Sequence, residues 1–251
     1  MREIVVAGSV FVCLAVASIG TMVAYPRLPA RHREEETNTV VRLVANIFVV
    51  MTSLVFGLMI NSSKNTFAGI DDSVHSFATE IILLDRTLRT YGLEADDTRA
   101  SLMHYVEQAL ASPMRLVDPV LQSDRKSEMA LNAIGNNIAV MNPTDPNHMA
   151  LWTDARQQYK TIVERRWVIV EQSEGVIPMP LVFMLMAWLT LIFASFGFRA
   201  PKNIIVLSMF LIAAFLISAS IYLVLDMDIP FAGMIQISDA PLRRALAELQ
   251  Q

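Results

Sequence analysis

Four stretches of this chain are long, apolar and entirely without charge, and that restricts its fold more than any other feature. Ile4 to Tyr25, Leu43 to Ser63, Gly175 to Phe198 and Asn203 to Leu225 hold no Asp, Glu, Lys or Arg over 22, 21, 24 and 23 residues. At about 1.5 Å of rise per helical residue, each reaches roughly 31 to 36 Å, enough for a hydrocarbon core of about 30 Å. Each Leu, Ile, Phe or Val favours the bilayer by about 0.3 to 0.6 kcal/mol, whereas one central Asp, Lys or Arg costs about 2.5 to 3.5 kcal/mol. Hydrocarbon offers the backbone no hydrogen-bond partners, so the runs are expected to cross as helices.

The first run has a rival reading as a cleaved leader, because Arg2 precedes it and Ala24 lies near its end. An apolar leader segment spans about 7 to 15 residues, and here a second span follows closely, so a retained span is expected. Cys13 lies inside that span after Val12 and reads as a buried thiol. A single cysteine excludes an internal disulfide, and four scattered histidines give no zinc spacing.

The polar segment from Pro26 to Arg42 joins spans 1 and 2, and the tighter one around Arg199, Pro201 and Lys202 joins spans 3 and 4. Each pair should form an antiparallel hairpin. Between the pairs, Lys64 to Glu174 carries 11 basic and 16 acidic residues over 111 positions and belongs in water. Phe67, Ile70, Val74, Phe77, Ile81, Leu84, Leu88 and Tyr91 recur in steps of three and four, a helical seam. No proline occurs between Pro29 and Pro113, so span 2 should continue into this seam as one helix, with Gly69 its weak point.

Asp96 or Asp97 can cap a second helix with the stripe Leu102, Tyr105, Val106 and Ala109, ending before Pro113. A third is expected from about Ser123 to Met141. Asp145 before Pro146 reads as the N-cap of a fourth, carrying Trp152, Tyr159, Val163 and Val170. Gly175, Pro178 and Pro180 should break the chain at the third span.

The expected fold is an all-α integral membrane protein. Four transmembrane helices form two hairpins, 1–63 and 175–226. A helical aqueous domain, 64–174, is inserted between spans 2 and 3, and an elbow with a short amphipathic helix, 227–251, closes the chain.

Catalysis finds no support: there is no Gly-rich phosphate loop, serine elbow, paired-histidine metal motif or CxxC, and no cofactor is implied. Asp71, Asp72, His75 and Glu80 are the best metal candidates, but they read as the solvated side of the seam. No ionisable side chain lies at mid-depth in a span, whereas proton-coupled carriers place one there.

What the spans offer is small and hydroxylated. Ser53 with Gly57, and Ala214 with Ser218, have the spacing that lets helix backbones approach closely. Asn46, Ser53, Gly57 and Ile60 also form a stripe on span 2, which in a symmetric oligomer could line a pore with Ile60 as an apolar constriction. Packing and pore lining both remain open. At the end of span 4 the sequence LDMDIPFAGMIQIS, Leu225 to Ser238, places Asp226 and Asp228 at the water boundary, followed by Pro230, Phe231 and Gly233. A helix stop, a packed elbow or an acidic pore mouth would each account for it.

Near the span ends, seven Lys or Arg lie on the face shared by the termini and the insert, and six on the other. The positive-inside rule does not separate them. A net charge of -4 without a long basic run speaks against a nucleic-acid partner.

The sequence resembles the bacterial bestrophin-like membrane protein family. The resemblance rests on LDMDIPFAGMIQIS, on FASFGFRAPKN from Phe193, on LLDRTLRTYG from Leu83, on LVFGLMINSSKNTF from Leu54 and on RHREEETNTVVR from Arg31. It implies a span pair, a helical insert and a second span pair. Through the architecture of bestrophins proper it implies a homo-oligomer conducting an inorganic ion along span 2, with termini and insert in the cytoplasm of a bacterial inner membrane. The rival class is a non-conducting scaffold or sensor whose insert binds a partner or ligand.

Overall fold

A computed structural model describes residues 2–29, 34–111, 122–173, 175–198, 200–231 and 233–251. Pro113, Arg31, Arg33 and Arg199, cited above, lie outside them. Among the described residues every regular element is helical: α1 (Arg2–Ala24), α2 (Glu35–Tyr91), α3 (Asp96–Ala111), α4 (Gln122–Val140), α5 (Pro146–Gln172), α6 (Met179–Gly197), α7 (Ile204–Met227) and α8 (Ala240–Leu249). Four of them, α1, α2, α6 and α7, are long and apolar enough to cross a membrane. The chain divides into two compact units, residues 1–65 with 176–228, and residues 66–175 with 229–251.

In the first unit, α1 packs closely against both α6 and α7. Small residues explain the choice. An added Cβ on Gly197 would stand 2.2 Å from the Ser18 carbonyl oxygen and 2.2 Å from Thr21 Oγ1, so only glycine lets α6 come this near α1. On the other side, Ser218 Oγ donates to the Ala7 carbonyl at 2.5 Å, and Ala214 is fully buried, which assigns the Ala214–Ser218 pair to packing. Val10, Leu14, Leu185, Leu189, Ile221 and Val224 fill the space between.

The third span begins as a helix at Met179, four residues later than its uncharged run. Gly175 adopts φ 81°, a left-handed conformation that favours glycine, and Pro178 is extended at the N-cap. Pro180 is tolerated in the first turn, where its missing N–H would have had no helical partner.

In the second unit, the seam of α2 is buried from Ile70 to Tyr91 and packs on the insert's own helices, together with the expected α3 stripe. Gly69 does not interrupt α2, which is one helix of 57 residues. On α5 the deepest positions are Ala155, Ile162, Arg166 and Ile169, while Trp152, Tyr159 and Val163 flank them. Val170 of the expected stripe is buried as well, and so is Arg166, counted above only as an orientation charge, with its guanidinium 5.7 Å from the Trp167 ring. Helix α8 belongs to this core through Leu242, Ala245 and Leu249.

An ionic network secures that helix. Asp85, only 2% exposed, accepts from Arg89 Nη2 at 2.8 Å and from Arg99 Nε at 2.9 Å. The same guanidinium groups reach the carbonyl oxygens of Glu248 at 3.2 Å and Leu249 at 3.5 Å, at the end of α8 where helical carbonyls run out of in-helix partners. One buried carboxylate thereby joins α2, α3 and α8. A buried carboxylate left unpaired would cost several kcal/mol, of order 3 to 5, so both arginines belong to one structural feature.

The start of α5 is tied to the end of α2. Asp145 caps α5, accepting from the N–H groups of Asn147 and His148 at 2.9 and 3.1 Å. His148 Nδ1 contacts Asp145 Oδ2, and its Nε2 lies 3.1 Å from the Tyr91 carbonyl oxygen. Both partners are acceptors, so the ring satisfies both contacts only as the doubly protonated imidazolium. The Asp145 hydrogen bond accordingly raises the His148 pKa above its ordinary 6.5. Hydrogen bonds from His148, backbone first, lower that of Asp145 below 3.8.

Two outcomes follow for the full chain in detergent. Gly197→Ala drives a methyl into backbone and should destabilise the first unit by about 1 to 3 kcal/mol in thermal unfolding, whereas Gly20→Ala, with nothing within 4 Å, should not. Because folding raises the His148 pKa, its contribution is complete below 6.5 and is lost as pH rises through the higher folded value. Because folding lowers the Asp145 pKa, the acid limb is lost only as pH falls below 3.8. The melting midpoint should therefore decline from pH ~6 to ~9, and His148→Gln should flatten that decline.

Candidate functional site

Within the first unit α2 buries one narrow stripe, Ala45, Thr52, Met59 and Ser63, with Phe48, Val55 and Phe56 partly covered beside it. At about 100° per residue, Asn46, Ser53, Gly57 and Ile60 fall within roughly 60° of one another and stand roughly 110° around the helix from that stripe. All four are exposed. No heavy atom lies within 4 Å of a Cβ built on Gly57, so the Ser53–Gly57 pair, unlike Ala214–Ser218, makes no close helix approach within the chain. Exposed aliphatic side chains, Ile47, Val50, Leu54 and Leu58 among them, border the stripe.

The polar groups differ in what they can offer. Ser53 Oγ donates to the Val49 carbonyl at 2.8 Å and so presents an acceptor oxygen outward. Asn46 presents both a donor and an acceptor, and it also rims a polar cavity of about 600 Å³ shared with Asn38, Arg42 and Ser195.

At the end of α7, Asp226 and Asp228 are both buried. Asp228 Oδ1 accepts from the Val176 N–H and Oδ2 from the Ile177 N–H, each at 3.1 Å. Those donors sit just before α6, where backbone N–H groups lack helical partners, so one carboxylate pairs both and pins the start of the third span to the end of the fourth. Asp226 takes a side-chain hydrogen bond from Tyr222.

In the second unit, Pro230 accepts from the Ile237 N–H at 3.1 Å, closing a turn in which Gly233 accepts from Gln236 Nε2 at 2.9 Å. Phe231 and Ile237 pack on the insert's core. The Asp-Pro-Phe-Gly segment is therefore a built connector. Proline and glycine announce the turn, but nothing in the sequence says which amides the carboxylates meet.

Asp71 and His75 approach to 3.9 Å on the solvated side of α2. Among the described residues no group of three or more His, Cys, Asp or Glu is placed to hold a metal. The Asp85 network was not foreseen: the spacing of four between Asp85 and Arg89 was visible, but Arg99 and the end of α8 arrive only through tertiary folding.

Four apolar helices, together with a separately packed helical unit, define a polytopic α-helical membrane protein. A family model described as Bestrophin-like domain matches residues 12–242, and the chain belongs to the bestrophin-like family. Two crystal structures of a bacterial bestrophin homologue from Klebsiella pneumoniae have a similar fold. A tyrosine-to-alanine variant aligns with TM-score 0.64 at 12% identity over 97% of each chain. An isoleucine-to-threonine variant aligns with TM-score 0.63 at 13% identity over 98% of this chain and 99% of that one. Among curated proteins, no sequence matches.

Replacing Asp228 by Ala should leave the Val176 and Ile177 amides unpaired, at about 1 to 3 kcal/mol each. Asp228→Asn retains one acceptor oxygen and should lose less. Faster hydrogen exchange at those two amides, with a lower melting midpoint, is the expected readout.

Proposed function

We propose that this chain is the protomer of a homo-oligomeric, passive ion channel in a bacterial inner membrane, with termini and insert in the cytoplasm. The observation that carries the reading is the uncovered face of α2. A helix that within its own unit buries one narrow stripe, Ala45, Thr52, Met59 and Ser63, leaves most of its circumference to lipid or to other copies. Its one polar strip, Asn46, Ser53 and Gly57, is poorly suited to hydrocarbon. Copies arranged about an axis would turn that strip inward, where amide and hydroxyl groups replace part of an ion's hydration and Ile60 forms an apolar constriction.

Family membership supports the same reading through the architecture of bestrophins. With no ionisable side chain at mid-depth in the spans, flow would be passive. No step of this function calls for catalysis, a cofactor or nucleic acid.

A second reading is favoured by one feature of the insert. A groove of about 900 Å³ runs between α4 and α5, bordered by Asn132, Asn136, Trp152, Arg156, Tyr159 and Lys160. Arg156 lies 4.7 Å over the Trp152 ring, and Trp152 Nε1 donates to the Ile138 carbonyl at 2.8 Å, so the groove wall is preformed. A ligand-binding scaffold or sensor would use it without conduction.

Planar-bilayer recordings separate the two. In a Cys13→Ser background, Asn46→Cys, Ser53→Cys and Ile60→Cys should each yield currents that thiol reagents reduce, and Ile60→Ala should raise conductance. Absence of current, insensitivity at all three positions, or a monomeric particle mass would overturn the channel reading.

A further inference from the structure

A second polarity pattern lies in the first unit, where the end of α1, the beginning of α2 and the end of α6 meet. An apolar slot of about 400 Å³ opens there between Val41, Val44, Phe48, Leu191 and Ala194. The two hydroxyls at its edge are already engaged: Thr21 donates to the Ala17 carbonyl at 2.8 Å and Ser195 to that of Ile192 at 2.7 Å. Beside it lies the polar cavity of about 600 Å³ that holds Asn38, Arg42 and Asn46. Ala45, Ser195 and Phe198 line both, so the two are contiguous. The slot takes Leu191 and Ala194 of α6, and the polar cavity takes Ala200 and Pro201 beyond that helix's end.

We propose that this tandem binds an anionic glycerophospholipid, one acyl chain in the slot and the phosphate against Arg42, with the Asn38 amide as a further donor. Its order, apolar at depth and polar towards the helix ends, is the order of the bilayer itself. Arg42 is exposed and among the described residues makes no ion pair, so its charge is available to a headgroup. A free anion would have no use for the apolar part. The site stands whether or not the assembly conducts.

Native mass spectrometry of the delipidated full chain, offered phosphatidylglycerol and phosphatidylcholine with identical acyl chains, provides the test. Phosphatidylglycerol should be retained in preference. Ala194→Phe, which fills the slot, should abolish retention of both lipids, and Arg42→Gln should lower the preference about five-fold. Arg42 is on the surface, so that arm decides the question even where Ala194→Phe fails to fold.

Equal retention of the two lipids would overturn the proposal, as would an unchanged preference in Arg42→Gln. Complete displacement by inorganic phosphate would reduce the site to an anion site. Cross-linking of copies through Val44→Cys would give the slot to a second chain.

Discussion

Hydrocarbon supplies no hydrogen-bond partners, and most of what this chain does structurally is a response to that. Within a helix each N–H finds the carbonyl four residues back, but the first amides of a span have no such partner. Asp228 meets this need for the third span by accepting from Val176 and Ile177. Asn203 does so for the fourth, its side chain accepting from the Val206 N–H at 2.8 Å. Most serines and threonines along α1, α6 and α7 satisfy their own hydroxyls on preceding carbonyls, as Ser18 does on Leu14 at 2.9 Å, whereas Thr52 and Ser63 on α2 are buried without a hydrogen-bond partner. Polar atoms are thus consumed locally, and the surfaces of α1, α6 and α7 are free to select partners by shape.

Shape then decides the packing of the membrane unit. Lipid tails are as apolar as leucine, so close backbone approach, not hydrophobicity, discriminates between helix pairs. Gly197 against Ser18, and Ser218 against Ala7, make α1 the helix on which α6 and α7 converge. Helix α2 buries one narrow stripe in its span and presents its polar stripe outward. A face left uncovered in the protomer is what an assembly about an axis needs, and the proposed channel rests on it. The aqueous unit obeys a different rule. There, water makes apolar burial favourable, so the seam of α2 is covered by its neighbours and a buried carboxylate is tolerated because two arginines meet it.

Several features were legible because they depend on local chemistry. The α2 seam, the Asp145–Pro146 cap and the helix break near Pro178 each follow from residues a few positions apart, and the structure shows each of them. Others were illegible for an equally physical reason. Asp85 and Arg99 are 14 residues apart, and the carbonyls their network reaches lie about 150 further on. On α5 the apolar residues read from the sequence meet the core, but the buried Arg166 beside them is invisible to a pattern that counts only apolar side chains. For the candidate site, composition named Asn46, Ser53, Gly57 and Ile60 but left packing and lining undecided, since periodicity gives a face and not what it meets.

By itself the sequence determined that four stretches of this chain are long and apolar enough to cross a membrane, and the transfer energies of those uncharged runs do not depend on their neighbours. Only the tertiary structure decided which spans touch, that the C-terminal helix joins the insert's core, and that Asp226 and Asp228 are buried. These depend on atoms brought within a few ångströms from distant parts of the chain. Spacing along a sequence carries no information about such contacts until the backbone has folded.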